Sequence, residues 1–279
     1  MKIHYREFKP SLALQPYVDN YWFQVFDGAA NEVSPIQTCL PLGMSQIIIH
    51  VNRHDCFAFF DNEWKRLPDA FFVGIYKDAV TWKTSGYSVC FGINLKPESL
   101  MKLFKIPAST VFNSYTDINN FVSKKVAVLS EKMFDIECPV LLTKLAEEFL
   151  FTQLRNMKEE RNFVDEATKM IRQSKGKISI EDLSRHLYVS ERKLQRGFKD
   201  YLGTSPKTYT RIIRFRNAYE YVQQARQKEA ISWVDVSYHH GYADQAHLIR
   251  DFKEFTGTIP TNVIHSKGGF YQLSEELIY

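Results

Sequence analysis

The hydrophobic and polar positions along the chain follow two different periods. From Tyr21 to about Leu95, short runs rich in Val, Ile, Phe, Tyr and Trp, such as QIIIHV and YSVCFGI, alternate with turn residues. That spacing is typical of a small antiparallel sandwich or barrel. From Pro97 onward apolar residues recur every three or four positions, which predicts helices. We therefore expect an α+β chain whose first part is mostly β and is closed by helices.

A charged segment, RNMKEERN, interrupts the helical pattern and predicts a linker at residues 155–162. It divides the chain into an N-terminal domain over residues 1–154 and an all-helical domain over residues 163–266. Residues 267–279 are left as a C-terminal tail. The predicted fold class is therefore α+β in two domains.

The second domain contains one motif twice. LQRGFKDYLGTSP, beginning at Leu194, returns as LIRDFKEFTGTIP, beginning at Leu248, with seven of thirteen positions identical. Before each copy, a Ser-x-x-Asp pattern at Ser179 or Ser232 predicts a capped helix. A short turn and a second helix follow, opened by Ser190 or by Asp244, and the second turn holds one extra residue. The predicted helix-turn-helix motifs cover residues 179–202 and 232–256.

The second helix of the first motif has two distinct faces. Leu194 and Phe198 form an apolar stripe that must pack against a core. The opposite face carries only basic and amide side chains: Arg192, Gln195, Arg196 and Lys199. A merely solvated face would be expected to include acids. Because an α-helix fits the major groove and Arg and Gln pair with base edges, this face is predicted to read DNA.

The segment between the copies predicts one long helix over Pro206–Arg226, with Ser205 as its cap. Its 21 residues would make a rod of roughly 30 Å. Half-sites on one face of B-DNA recur about every 34 to 36 Å. With its flanking turns, the rod can hold two reading helices in successive major grooves.

The charge distribution agrees with a nucleic-acid partner. Residues 163–270 hold 18 Lys+Arg against 12 Asp+Glu, whereas residues 1–162 hold 18 of each. The basic excess therefore coincides with the repeated segment, where a polyanion would bind.

The double motif, with L-x-R-x-F-K...G-T-x-P in both copies and HGYADQAHLIRDFK in the second, resembles the DNA-binding domain of the AraC/XylS family of bacterial transcription regulators. The resemblance implies a regulator, expected to be an effector-responsive activator, that binds double-stranded DNA and has RNA polymerase as a candidate partner. The expected base-contacting residues are Arg192, Gln195, Arg196, Gln245, Ala246, Ile249 and Arg250. The expected phosphate-contacting residues are Ser190, Lys199, Ser205, Lys207, Lys253 and Thr261. Since Ala246 and Ile249 cannot read hydrogen bonds, the second half-site should be read less strictly.

The N-terminal segments LQPYVDNYW and CLPLGMSQIIIHVN resemble the cupin-like sensing regions attached to such domains. This resemblance implies an N-terminal sensing and dimerisation domain with a small-molecule effector, which the sequence does not identify. The aromatic residues of this region fit a pocket for a planar ligand, but they fit an ordinary core better. Helix 139–154 carries an apolar stripe broader than one packing face requires, which predicts a homodimer contact. The stripe consists of Val140, Leu141, Leu142, Leu145, Phe149, Leu150 and Leu154.

Two further interpretations stay open: a cupin-type metal enzyme carrying a DNA-binding module, and a ligand-independent regulator controlled by its abundance. His50 and His54 could share a strand face, but no further ligand is visible, so we expect no metal site, no cofactor and no catalytic residue. The four cysteines are scattered singly and are interpreted as reduced core thiols. Without a signal peptide or an apolar spanning segment, a soluble cytoplasmic protein without a membrane partner is expected.

Overall fold

The computed structural model describes residues 2–120, 124–157, 162–225, 231–265 and 277–278. Its secondary structure confirms the predicted α+β class, with a sheet-rich N-terminal region and a helical C-terminal region. The helices of the described residues are all too short or too polar to span a bilayer.

Eleven strands occur in the described residues, ten of them before residue 118. They are β1 (Lys2–Phe8), β2 (Val18–Asp27), β3 (Gln37–Cys39), β4 (Ser45–His50), β5 (Cys56–Phe60), β6 (Glu63–Arg66), β7 (Ala70–Val73), β8 (Val80–Thr84), β9 (Ser88–Leu95), β10 (Tyr115–Asp117) and β11 (Leu277–Ile278). The sequence analysis did not indicate β1, β3, β6 or β10. Strand β1 lies before Tyr21, where the predicted strand region begins, β3 and β6 are only three and four residues long, and β10 lies in the part predicted to be helical.

The strands form two sheets. The larger has the order β10-β7-β4-β9-β2-β1-β11, and the smaller has the order β3-β8-β5-β6. All pairs are antiparallel except β1 with β11. The core lies between the sheets, where Phe26 meets Trp82 edge to face at 5.4 Å between ring centroids. Strand β9 is buried along its whole length, as the continuous apolar run of its sequence predicts.

Among the residues that the structure describes, three α-helices close the N-terminal region: α1 (Glu98–Phe104), α2 (Lys124–Met133) and α3 (Pro139–Arg155). A short 3-10 helix, Ala108–Val111, follows α1. Helix α3 packs against α1, α2 and β9. Within its predicted apolar stripe, Leu142 and Leu150 are fully buried, whereas Val140 is 68% exposed and Leu141 is 42% exposed.

The described part of the C-terminal region contains seven helices: α4 (Phe163–Gln173), α5 (Ile180–His186), α6 (Glu191–Leu202), α7 (Pro206–Ala225), α8 (Trp233–His239), α9 (Gln245–Thr256) and α10 (Pro260–His265). The predicted caps are confirmed, since Ser179, Ser190, Ser232 and Asp244 each accept the backbone N–H three residues later. Helix α7 begins at Pro206 as predicted. Arg226, residues 158–161 of the predicted linker and most of the predicted tail lie outside the described residues.

Candidate nucleic-acid interface

The second helices of the two motifs, α6 and α9, are each twelve residues long and begin and end alike. Ser190 caps the first at 3.2 Å and Asp244 caps the second at 2.7 Å. Each helix ends at a glycine in the left-handed region, Gly203 with φ 76° and Gly257 with φ 74°. The repeated sequence therefore gives the same local structure twice, because both the start and the stop signal are repeated.

The two faces of α6 are those that its periodicity predicts. Leu194, Phe198 and Leu202 are fully buried. The predicted reading face is exposed at all four positions: Arg192, Gln195, Arg196 and Lys199. Among the described residues, no ion pair involves Arg192 or Arg196, whereas Arg185 of α5 pairs with Glu181 and Asp182. The guanidinium groups of the reading face are therefore available to an external anion or base edge.

The corresponding face of α9 is less polar. Gln245, Ala246 and Arg250 are exposed, and Ile249 is half-buried. Leu248 and Phe252 face the core with no exposed surface. The exposed part of this face thus offers one guanidinium and one amide, fewer polar groups than α6 presents.

The residues predicted to contact phosphates lie either at the start of a helix or on an exposed helix face. The hydroxyl of Ser205 accepts the N–H of Thr208 at 3.0 Å and so caps α7, while Lys207 in the first turn is exposed. The ammonium of Lys199 lies 3.4 Å from the carbonyl of its own helix end, Gly203. Two others are exposed: Lys253 on α9 and Thr261, which follows the first residue of α10.

The two motifs are held in place by different residues at equivalent positions. In α6, a Cβ added to Gly197 would lie 2.5 Å from the ring of Phe163, so α6 approaches α4 closely at this position. In α9, the equivalent residue is Asp251, which is 1% exposed and accepts from the guanidinium of Arg211 at 2.7 Å. Glu254 accepts from the same arginine at 2.6 Å. Packing fixes the first motif, and ionic hydrogen bonds tie the second to α7.

The helical region also contacts the β domain through ion pairs that the sequence did not predict. Arg172 of α4 donates to both carboxylate oxygens of Glu98 on α1 and to the hydroxyl of Tyr209. Arg216 of α7 lies 2.5 Å from a carboxylate oxygen of Asp19 on β2. No local sequence signal marks these pairs, because their partners are more than 70 residues apart and each residue alone is typical of a surface position.

The end of α6 lies directly on the β domain. The hydroxyl of Ser109, in the 3-10 helix, donates to the carbonyl of Asp200 at 2.7 Å. A Cβ on Gly203 would lie 2.5 Å from the Cβ of Phe112. The helix that carries the most polar reading face is therefore in contact with the N-terminal region.

A cavity of about 50 Å³ lies inside the β domain. Its lining is mostly apolar and includes five aromatic residues: Trp22, Phe60, Phe71, Tyr76 and Trp82. Gly74 lies between Val73 and Tyr76, which both line the cavity. A Cβ at Gly74 would lie 1.8 Å from the carbonyl oxygen of Val111, so the backbone packs closely here. The cavity wall is thus continuous with the 3-10 helix that contacts α6.

The same region brings together three potential ligands that sequence reasoning did not connect. His50, His54 and Cys90 are buried and place one ligand atom each within 4.8 Å of the others. Burial lowers the pKa of His54 to about 4 and lowers the pKa of His50 well below its usual value, so both rings are neutral near pH 7. The further ligand missing from the sequence pattern is Cys90, which the pairing of β4 with β9 brings close. The interpretation of all cysteines as core thiols was wrong for Cys138, which is exposed.

Comparison with known families assigns the helical region. Residues 183–265 match the family described as "Helix-turn-helix domain", and residues 6–117 match a "Domain of unknown function (DUF6597)". The paired motifs thus define a double helix-turn-helix DNA-binding domain. It is of the AraC type, as the sequence resemblance predicted, and the function class that it supports is a DNA-binding transcription regulator.

Several solved structures are similar to the chain at low identity. ToxT from Vibrio cholerae matches at 11% identity over 88% of this chain and 98% of that chain, with a TM-score of 0.48. ToxT bound to (E)-4-(8-methylnaphthalen-1-yl)but-3-enoic acid matches at 9% identity over 88% and 98%, with a TM-score of 0.49. A cupin superfamily protein from Desulfitobacterium hafniense matches at 14% identity over 34% and 77%, with a TM-score of 0.25. No curated protein matches the chain.

Proposed function

We propose that the chain is a sequence-specific regulator that reads two successive major grooves of one DNA duplex through α6 and α9. The observation that carries this proposal is the exposed face of α6, where Arg192, Gln195 and Arg196 have polar ends directed away from the core. Arg and Gln are the side chains that pair bidentately with guanine and adenine. Helix α7, with 20 residues, is a rod of roughly 30 Å, which suits tandem rather than mirror-related half-sites.

In vitro selection of binding sites tests this proposal. We expect two non-palindromic half-sites about one helical turn apart for each chain. Phosphate contacts from Ser190, Lys199, Ser205, Lys207, Lys253 and Thr261 should make the affinity fall steeply with salt. A single short selected site, or an affinity that is flat between about 50 and 200 mM salt, would contradict the proposed reading mode.

We further propose that residues 1–154 form the sensing domain and that a small-molecule effector binds in its aromatic cavity. The supporting observation is the chain of contacts from the cavity wall through Gly74 and Val111 to Ser109, which donates to Asp200 of α6. A ligand that moves the cavity wall would also move the 3-10 helix that contacts the end of α6. The ligand-independent alternative predicts that no metabolite in a thermal-shift screen stabilises the protein.

Phe112→Ala separates coupling from binding. Removing this ring from beneath Gly203 should reduce any effector-dependent change in DNA affinity while leaving effector binding intact, since Phe112 does not line the cavity. If the effector changed DNA affinity equally in the wild type and the variant, this contact would not carry the signal. The sign of regulation, expected to be activation, and a contact with RNA polymerase are tested by transcription in vitro from the selected site.

We also propose that α3 contributes to a homodimer. Val140 and Leu141 remain substantially exposed after α3 has packed on the β domain, which supports a second apolar contact. Val140→Glu should then shift the protein to monomer in sedimentation at tens of micromolar chain. A monomeric wild type, with and without DNA, would remove this proposal.

A further inference from the structure

A second cluster of chemically active side chains lies away from the DNA-reading face. His50 ends β4, His54 follows in the next loop, and Cys90 lies on β9. All three are buried, with exposures of 3%, 8% and 2%. Two imidazoles and a thiolate are a ligand set that zinc binds, and thiolate and imidazole together favour zinc and copper over magnesium or calcium.

The orientation of His54 is fixed by the amide of Asn52. That amide donates from Nδ2 to the carbonyl of Tyr87 at 3.0 Å, and its Oδ1 accepts the N–H of Val89 at 2.9 Å. These two bonds establish which amide atom is the oxygen. The same Oδ1 lies 2.7 Å from Nδ1 of His54, so Nδ1 must carry the hydrogen. Nε2 of His54 therefore presents its lone pair, in the arrangement typical of metal-binding histidines.

One distance between ligand atoms suits a tetrahedral ion, and a ligand atom of His50 lies within 4.8 Å of the other two. Nε2 of His54 lies 3.5 Å from Sγ of Cys90. Bonds of roughly 2.05 Å to nitrogen and 2.3 Å to sulfur at the tetrahedral angle would place these two atoms about 3.6 Å apart. In addition, Nδ1 of His50 is buried and makes no hydrogen bond with any described residue. Such a group needs a partner, and a metal ion in this cluster would supply one.

We propose that His50, His54 and Cys90 bind one zinc ion inside the β domain. A three-residue ligand set leaves the fourth tetrahedral position for a water molecule or for a ligand in the cavity that His50 and Cys90 also line. Asn52 acts as a positioning residue, because it holds the ring of His54 without touching the ion. This site does not depend on the DNA-binding function proposed above.

Cobalt substitution tests the site directly. The probe is Co²⁺ added to tag-free, metal-stripped, reduced full-length protein that carries Cys138→Ser, so that the exposed thiol cannot contribute. We expect one Co²⁺ per chain, a near-ultraviolet thiolate-to-cobalt charge-transfer band, and visible bands of a four-coordinate site that Zn²⁺ removes. If the folded protein showed none of these bands, the proposal would be wrong. The contact between Cys90 and His54 would then be a hydrogen bond from the thiol to Nε2, with no metal ion.

Substitutions identify the residues that bind the ion. Cys90→Ser should abolish the charge-transfer band, whereas Cys39→Ser, a matched change in a buried thiol that lines the same cavity, should keep it. Asn52→Ala should weaken Co²⁺ binding by about 10- to 100-fold without moving the bands, and Asn52→Asp should restore it. Circular dichroism confirms that each variant is folded. A band that persists in Cys90→Ser, or that disappears in Cys39→Ser, would show that these residues do not form the site.

Discussion

The two helix-turn-helix motifs share their local structure and differ in what holds them. Helix α6 packs through Gly197 on Phe163 of α4, and its end is bonded to Ser109 of the β domain. Helix α9 is tied by Asp251 and Glu254 to Arg211 of α7, and its main contacts are with α7, α8 and α10. Repeated residues therefore build the motif, whereas its attachment differs at Gly197 and Asp251, which occupy equivalent positions and are not repeated.

Because the two motifs are attached differently, they can have different roles although their sequences are similar. The β domain contacts the first motif directly, through Ser109 and Phe112, and it contacts α7, to which the second motif is tied, through Asp19. At the positions predicted to contact bases, the first motif also exposes more polar side chains than the second. We infer that the first copy carries most of the sequence information and is the one that a sensing domain would control.

The largest expected effect concerns the anchor of the second copy. Asp251→Ala should destabilise the protein by about 3 kcal/mol, because it removes the buried partner of Arg211. Urea unfolding measures the change. Glu254→Ala is the matched control: it removes the more exposed carboxylate of the same arginine and should cost less than about 1 kcal/mol. Equal losses in the two variants would mean that burial does not distinguish the two pairs.

The second prediction compares the reading arginines. Arg196→Ala should relax specificity at one position of the first half-site, with about 1 to 3 kcal/mol of discrimination lost. Arg250→Ala should do the same at the second half-site, where less information is expected because Ala246 and Ile249 flank the arginine. Site selection with the wild type and both variants measures this difference. Information concentrated under α9 would reverse the assignment of roles.

The third prediction concerns charges that the two copies share. Lys199→Ala and Lys253→Ala, at equivalent positions, should each weaken binding to all sequences alike and lower the salt slope by about one. Affinities for the selected site and a scrambled site, over a salt series, distinguish this outcome from a base contact. A loss confined to the selected site would place the lysine at a base edge instead.

The smallest effect is expected in the turns. Tyr188 is 96% exposed with φ 52°, a left-handed conformation that Gly241 adopts in the second copy with φ 74°. Tyr188→Gly should stabilise the first copy by about 0.5 to 1 kcal/mol, since it removes backbone strain. Tyr188→Ala, which keeps the Cβ, should give no such gain in thermal unfolding. Destabilisation by Tyr188→Gly would indicate that the ring makes a contact that its exposure does not reveal.

The sequence predicted those parts of the molecule whose signals are local. Caps such as Ser190 and Asp244, the helix α7 and the exposed face of α6 could be read from neighbouring residues, because helix periodicity and capping act over a few positions. The pairs of Arg172 with Glu98 and of His54 with Cys90 could not, since strand and helix packing brings distant residues together. The roles of the reading residues themselves stay predictions until DNA binding is measured.

Gly203 shows how one position can serve two neighbours at once. It ends α6 with a positive φ, as Gly257 ends α9. Of the two, Gly203 has another chain segment against its missing side chain, whereas no described residue lies within 4 Å of a Cβ built at Gly257. A side chain at Gly257 would therefore meet one constraint, the backbone angle. A side chain at Gly203 would also collide with Phe112, so a single compensating substitution could not repair it. At the end of the first motif, contact with the β domain therefore limits which residues can be substituted. The equivalent position of the second motif is limited by its backbone angle alone.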